Sequence, residues 1–423
     1  MIETFHKGIF LTQENLPQSS PEKLSERAVV KKDGGLLRSS GVVSFFTMLS
    51  RIMRLARDVV LARVIGAEAF ADVFFVAFKI PNFFRRLFAE GAFAQAFVPV
   101  LGEYREQGSK AAVRGLISRV SGTLGLTLLL FTILIVIVAP AMAALFAPRW
   151  FMDEPLKFTA TADMLRITFP YLFFISMTGV AGGILNSYDR FAVPAFTPIL
   201  LNITLICAAL FAAPLFDQPA FALAWGVLIA GIIQFIFQLP FLRRIHMLPA
   251  PIVDWRDSGV RKILLLMGPA IFGVSVSQIN LLLDTMLATF LPTGSVSWLY
   301  YSDRLAELPL GVFGVAIATV ILPNLSRHHS SQSKESYSET LDWALKMILL
   351  VAVPAAVALM LLAEPILVTL FYYGDVMTAR DMAMSSYSLR AYALGLVAFM
   401  LIKVLAPGFF ARQDMRTLSL IHI

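Results

Sequence analysis

Val120-Ser-Gly-Thr-Leu-Gly-Leu-Thr-Leu-Leu-Leu-Phe-Thr-Ile-Leu-Ile-Val-Ile-Val138 carries no charge, and none follows until Arg149. A helix rises about 1.5 Å per residue, so about 20 apolar residues cross the hydrocarbon of a bilayer. Strand-like alternation is weak here, and elsewhere Leu, Ala, Phe and Met dominate, so the stretch predicts a membrane helix rather than a barrel strand. Working outward, similar runs lie at roughly 38–65, 70–101, 115–147, 162–187, 193–214, 219–242, 262–291, 297–325, 341–372 and 385–411. Pro and Gly mark most of the gaps. The composition agrees: 58% of the 423 residues are hydrophobic and 15% charged, against about 45–50% and about 25% in soluble domains. A cytosolic globular enzyme and a disordered chain are both excluded. The expected fold class is all-α and polytopic, with about ten transmembrane helices.

The net charge of +7 is read through topology. With the N-terminus inside, the cytoplasmic loops hold Arg105, Lys110 and Arg114, then Arg190, then Arg243, Arg244, Arg256, Arg261 and Lys262, then Arg327 and Lys334. The opposite loops hold Arg149, Lys157 and Arg380. This asymmetry predicts a multi-pass protein with a cytoplasmic N-terminus. No basic tract is interleaved with aromatics, so no nucleic-acid partner is expected. The single Cys207 excludes an intramolecular disulfide. The five histidines fall in loops or tails, so no metal centre is expected inside the membrane. No Walker loop or zinc-protease motif occurs, and no catalytic residues are assigned.

The chain divides by these signals. Residues 1–37 read as a disordered cytoplasmic extension, 38–245 as a first bundle of six helices, and 246–416 as a second bundle with four. Residues 417–423 form an atypical tail. A parallel repeat relates the bundles. Asp58-Val-Val-Leu-Ala recurs as Asp284-Thr-Met-Leu-Ala, and Phe97-Val-Pro99-Val-Leu as Ile321-Leu-Pro323-Asn-Leu. Parallel repeats are a recurrent transporter architecture.

The informative residues are the charges inside spans, each costing about 2.5–3.5 kcal/mol at a helix centre. At about 100° per residue, Arg51, Arg54, Arg57 and Asp58 share one third of a helix circumference. Asp72, Lys79, Arg86 and Glu90 line a second stripe, with Arg85 to one side, and Asp303, Arg304 and Glu307 mark a third helix. These clusters hold more Lys and Arg than Asp and Glu. Snorkelling and inter-helix clamping account for some of them. The excess predicts a central cationic cavity suited to a phosphate-bearing ligand, because guanidinium offers a planar fork of donors. Pro81-Asn82 predicts a break in the second span, with Asn82 supplying a substitute donor beside the cavity. Asp284 has no cation in its own span and is a candidate cation site, or pairs across helices.

At these residues the sequence resembles the MurJ (MviN) family of bacterial lipid II flippases. The likeness rests on Ser50-Arg51, Arg57-Asp58, the run Asp72 to Glu90 through Lys79-Ile-Pro81-Asn82-Phe-Phe-Arg85-Arg86, Gln278 to Asp284, Tyr300-Tyr-Ser-Asp303-Arg304-Leu-Ala-Glu307, and Leu401 to Asp414. The family belongs to the multidrug/oligosaccharidyl-lipid/polysaccharide exporter superfamily. The resemblance implies two helix bundles around a cavity, with Arg51, Arg57, Arg85 and Arg304 as cavity arginines and Asp72 and Glu90 as acidic companions. It implies transport of undecaprenyl-diphosphate disaccharide-pentapeptide across the inner membrane by alternating access, for cell-wall synthesis. It implies no enzyme activity and no cofactor, with the membrane potential or a monovalent cation gradient as driver. Implied partners are lipid II, membrane lipid and the peptidoglycan synthesis machinery. Arg54 stands where the family usually has glycine, and the family's later helices are expected to be missing, leaving the second bundle incomplete. Other readings are an exporter of another polyprenyl-linked oligosaccharide, a polyprenyl-phosphate enzyme, and a non-functional truncated remnant.

Overall fold

The computed structural model describes the backbone of residues 21–330, 333–374 and 376–412. Among the described residues every regular element is helical. The first part of the chain forms α1 (Pro21–Ile65), α2 (Ala69–Phe84), α3 (Phe93–Gln107), α4 (Lys110–Ile137), α5 (Ala139–Phe146), α6 (Pro148–Asp153), α7 (Pro155–Thr168), α8 (Tyr171–Ser187), α9 (Ala192–Cys207) and α10 (Pro219–Arg244). The second part forms α11 (Ser258–Ala288), α12 (Ser295–Pro309), α13 (Val315–Ser330), α14 (Lys334–Leu361), α15 (Ala363–Phe371) and α16 (Ala379–Ala411). α2 passes into α3 through a π-helical segment, Arg85–Ala92, and α12 passes into α13 through another, Leu310–Gly314. The expected 1–37 extension lies partly outside the described residues and partly on the start of α1, and the expected 417–423 tail lies wholly outside them.

Among the described residues seven helical stretches are long and apolar enough to cross a membrane: Lys110–Ile137, Pro155–Ser187, Ala192–Leu215, Pro219–Arg244, Ser295–His328, Glu335–Leu361 and Ala379–Phe409. The expected spans at 38–65, 70–101 and 262–291 are helical but fall outside that set; the first two hold the charge clusters. Local chemistry sets several boundaries. Ser109 caps α4 by accepting from Ala112 N–H at 3.2 Å, and Asp257 caps α11 by accepting from Gly259 and Val260 N–H at 3.0 Å each. Gly294, at φ +99°, makes the left-handed turn into α12.

The two parts meet along a seam at the face where α1 ends. Asp72, in the first turn of α2, is 2% exposed. Its Oδ2 accepts from Gly294 N–H at 2.6 Å, and its Oδ1 from Ser297 N–H at 2.9 Å and Ser297 Oγ–H at 2.6 Å. A carboxylate from the first part thus satisfies backbone donors at the start of α12, which would otherwise be orphaned. Phe75 stacks on Tyr300 at 3.9 Å between centroids, Tyr301 O–H donates to the Gly66 carbonyl at 3.0 Å, and Lys157 Nζ donates to Thr293 at 2.6 Å. Leu61, Phe74, Phe75, Tyr301 and Phe371 fill one continuous apolar core around these bonds.

At the other face the linker between the parts is pinned along α4. Ile252 N–H donates to the Ser118 carbonyl at 3.0 Å, Ala250 N–H to Ser118 Oγ at 3.3 Å, and Asp254 N–H to Thr123 Oγ1 at 3.0 Å. Arg119 pairs with Asp257 at 2.9 Å, and Lys262 with Glu103 at 2.5 Å. Gly122 makes the close approach feasible, since a Cβ there would strike the backbone of Ile252.

Two outcomes are expected. Gly122→Ala should cost about 1–2 kcal/mol net, overpacking against fixed backbone exceeding the gain in helix propensity. Gly125→Ala, whose Cβ would meet only Met177 Sδ at 3.6 Å, should leave thermal unfolding in detergent unchanged or raise it. Asp72→Asn turns one acceptor into an NH2 facing backbone donors, so amide exchange at 294–298 should quicken about tenfold or more. Unchanged exchange there would remove Asp72 from its role at the seam.

Candidate functional site: a cationic cavity between the two parts

A cavity of about 680 Å³ lies between the two parts. α1 contributes Arg54 and Arg57, α2 Lys79 and Asn82, the first π-helical segment Arg85 and Arg86, and α12 Asp303, Arg304 and Glu307. Six cations and two carboxylates therefore line it among the described residues.

Arg57 is the most completely held of the cations. It is 5% exposed. Its Nε and Nη2 donate to Asp58 Oδ1 at 2.9 and 2.6 Å, its Nη2 to Tyr300 Oη at 2.9 Å, and its Nη1 to Asn202 Oδ1 at 3.1 Å. Asn202 Nδ2 in turn donates to the Ser50 and Pro198 carbonyls at 3.3 and 3.2 Å. The guanidinium is solvated by three helices, α1, α9 and α12, and its first duty is structural.

Arg304 is differently placed. Its Nη1 donates to Glu307 Oε2 at 2.6 Å, Asp303 lies 3.8 Å from Nη2, and the guanidinium sits over the Tyr300 ring at 4.9 Å. Its Nε has no partner among the described residues. Glu307 is shared, with Arg54 3.8 Å away on the other part. Arg54 is half-exposed to the cavity. Lys79 Nζ crosses to α11 and donates to Thr285 Oγ1 at 2.9 Å. Arg85 Nε donates to Asn82 Oδ1 at 3.0 Å.

Pro81 does not break α2, which continues to Phe84 before widening into the π-helical turn. Its ring leaves the Ala77 carbonyl without the usual helical donor. Thr168 Oγ1, from α7, supplies that donor at 3.1 Å. Asn82 is not the substitute: its Nδ2 donates to the Phe78 carbonyl at 2.9 Å, and its oxygen orients Arg85.

Of the residues expected here, Arg57, Arg85, Arg304 and Asn82 line the cavity. Arg51 does not. Its guanidinium rests on the backbone of Gly311, where an added Cβ would lie 2.5 Å from Nη1. Asp72 is at the seam, its oxygens occupied by α12. The Glu90 side chain lies outside the described residues. Asp284 is exposed on α11 and is not among the residues lining the cavity, and no group of three potential metal ligands gathers among the described residues. Sequence reasoning missed Tyr300, Asn202 and Thr285. Tyr300 lies four residues before Arg304, hence on its face, and Asn202 is a lone amide in an apolar run; both signals were present.

A charged cavity enclosed by two sets of long apolar helices defines a polytopic membrane protein with a transporter fold. The sequence model of the lipid II flippase MurJ family matches residues 61–423, and the chain belongs to that family. It is 53% identical over 383 residues to a probable lipid II flippase MurJ of Haemophilus influenzae, covering 88% of this chain and 75% of the relative. A solved lipid II flippase MurJ in an inward closed conformation superposes with a TM-score of 0.76 at 29% identity, over 89% of this chain and 77% of that one. An inward-facing multidrug resistance MATE transporter of the MOP superfamily shares the fold, with a TM-score of 0.66 at 14% identity over 88% and 85% of the two chains.

The two classes of arginine should separate on mutation. Arg57→Ala strands Asp58, which is 1% exposed, and should cost about 3–5 kcal/mol. Arg54→Ala should cost less than about 1 kcal/mol. Melting curves in detergent measure both, and equal losses would remove the distinction.

Proposed function

We propose that the chain moves lipid II, the undecaprenyl-diphosphate disaccharide-pentapeptide, from the inner to the outer leaflet of the bacterial inner membrane for cell-wall synthesis. The observation that carries this reading is the charge imbalance of the cavity. Among the described residues six cations line it against two carboxylates. Asp58 compensates Arg57 alone, so the excess persists after that pairing. A diphosphate supplies the missing negative charge in a form that guanidinium groups bind by paired hydrogen bonds. Arg304 and Arg54 bear on it directly, and Arg85 is aimed by Asn82. Neither bond-breaking chemistry nor a cofactor enters this reading.

Alternating access fits a cavity whose two walls come from separate parts of the chain. Loop charges favour a cytoplasmic N-terminus, which makes the Asp72 seam the closed outer face. The driver is the membrane potential or a monovalent cation gradient, with Asp284 as the candidate cation residue. Membrane lipid contacts the outer helix faces, and the peptidoglycan synthesis machinery supplies and consumes the cargo.

In cells depleted of their own flippase, Arg304→Ala should abolish growth support by this chain while leaving its membrane level intact. Arg304→Lys should also fail substantially, because a point charge lacks the fork. In nanodiscs, Arg304→Ala should weaken binding of undecaprenyl diphosphate about tenfold or more, as expected for a lost charge-assisted contact. Full growth with the alanine variant would remove Arg304 from cargo handling.

A further inference from the structure

The cavity wall formed by α8, α9 and α10 differs chemically from the cationic one. It presents Asn186, Thr197, Gln234 and Gln238, and no charged side chain. Gln234 and Gln238 lie one turn apart on α10 and are 2% and 1% exposed.

The direction of both amides is fixed by α9. Gln234 Nε2 donates to the Thr197 carbonyl at 3.0 Å. Thr197 Oγ1 uses its single proton on the Val193 carbonyl at 2.9 Å. It can therefore only accept from Gln238 Nε2, 2.9 Å away. Both NH2 groups are committed to α9: flipping Gln234 would set its oxygen against the Thr197 carbonyl, and flipping Gln238 would make Thr197 Oγ1 give up its bond to the Val193 carbonyl. Both Oε1 atoms are left buried without a hydrogen-bond partner. Gln238 Oε1 faces Gly182, lying 3.9 Å from where a Cβ would stand, so that part of the wall carries no side chain. Asn186, on the same wall, is exposed.

A buried acceptor left unpaired costs about 1–3 kcal/mol. Native structures keep few of them, and each calls for a completing group. Two such residues on consecutive turns of one helix line the cavity with their oxygens just beneath its surface, so a donor-bearing occupant completes them once the wall parts to admit it. Carbonyl oxygens repel carboxylates and phosphates and accept from hydroxyl and amide N–H groups.

We propose that this amide wall is the subsite for the uncharged, donor-rich glycan of the lipid-linked cargo, its hydroxyl and acetamido N–H groups completing Gln234 and Gln238. The assignment rests on the flippase reading above. The diphosphate is bonded directly to the first sugar, so the two subsites must adjoin, as the two walls of this cavity do.

The test uses the whole chain in nanodiscs with three probes: undecaprenyl diphosphate, its peptide-free disaccharide conjugate, and lipid II. Gln234→Leu and Gln238→Leu should each weaken binding of both sugar-bearing lipids about fivefold and leave undecaprenyl diphosphate unchanged, which also certifies the fold. Asn186→Ala, at an exposed position, should lower the same two affinities without perturbing packing. Equal losses for all three probes, or no loss for any, would overturn the subsite. A loss confined to lipid II would overturn the assignment to the glycan in favour of the peptide. If the unsubstituted chain binds none of the three, the flippase reading itself falls, and the subsite with it.

Discussion

Arginine cannot shed its charge, so a guanidinium placed inside a membrane protein must be solvated by the protein. Arg57 is solvated by Asp58 beside it, Asn202 from α9 and Tyr300 from α12. Tyr300 donates onward to Asp58 Oδ1 at 2.9 Å, stacks on Phe75, and lies under Arg304. One side chain's need for partners therefore fixes α1 against α9 and α12, and brings α2 in through Phe75. The cavity exists where these helices diverge from that point. Its remaining cations are arranged around a knot that is already neutral.

The helical stripes were legible in the sequence because periodicity is a local property. They grouped Arg57, Lys79, Arg85, Arg86 and Arg304, which line one volume. They did not separate residues along or around the stripe. Asp72 precedes Lys79 by two turns, about 10 Å along the axis, which carries it from the cavity to the seam. Arg51 and Arg57 are about 120° apart on α1, enough for one to rest on Gly311 across the seam while the other reaches Asn202. Phase places a residue on a side of a helix; the neighbour at each height decides what that side means.

Partners supplied from far along the chain were not legible. The proline in α2 pointed to an orphaned carbonyl, but the donor that completes it, Thr168, sits on α7. The carboxylate of Asp72 caps a helix that begins more than two hundred residues later. Neither pairing leaves a periodic trace in the sequence, because each is one contact between elements whose juxtaposition only the fold creates. The family resemblance singled out these residues together, and the structure divides them by position: Arg57 and Asp72 hold the two parts together, while Arg304 keeps an Nε without a partner among the described residues.

α12 is where these duties converge. The first part of the chain grips it at three heights: by Asp72 at its first turn, by Arg57 and Asp58 at Tyr300, and by Arg51 at Gly311 just beyond it. Arg304 and Glu307 lie between the second and third grips. An anion that takes Arg304 competes with Glu307, and the nearest alternative cation for Glu307 is Arg54 on α1, now 3.8 Å away. Charge can therefore shift from a bond within α12 to a bond between α1 and α12 without leaving Glu307 unpaired. In the proposed transport cycle this makes cargo binding and the grip of α1 on α12 parts of one electrostatic exchange, because the same short helix carries the contacts for both.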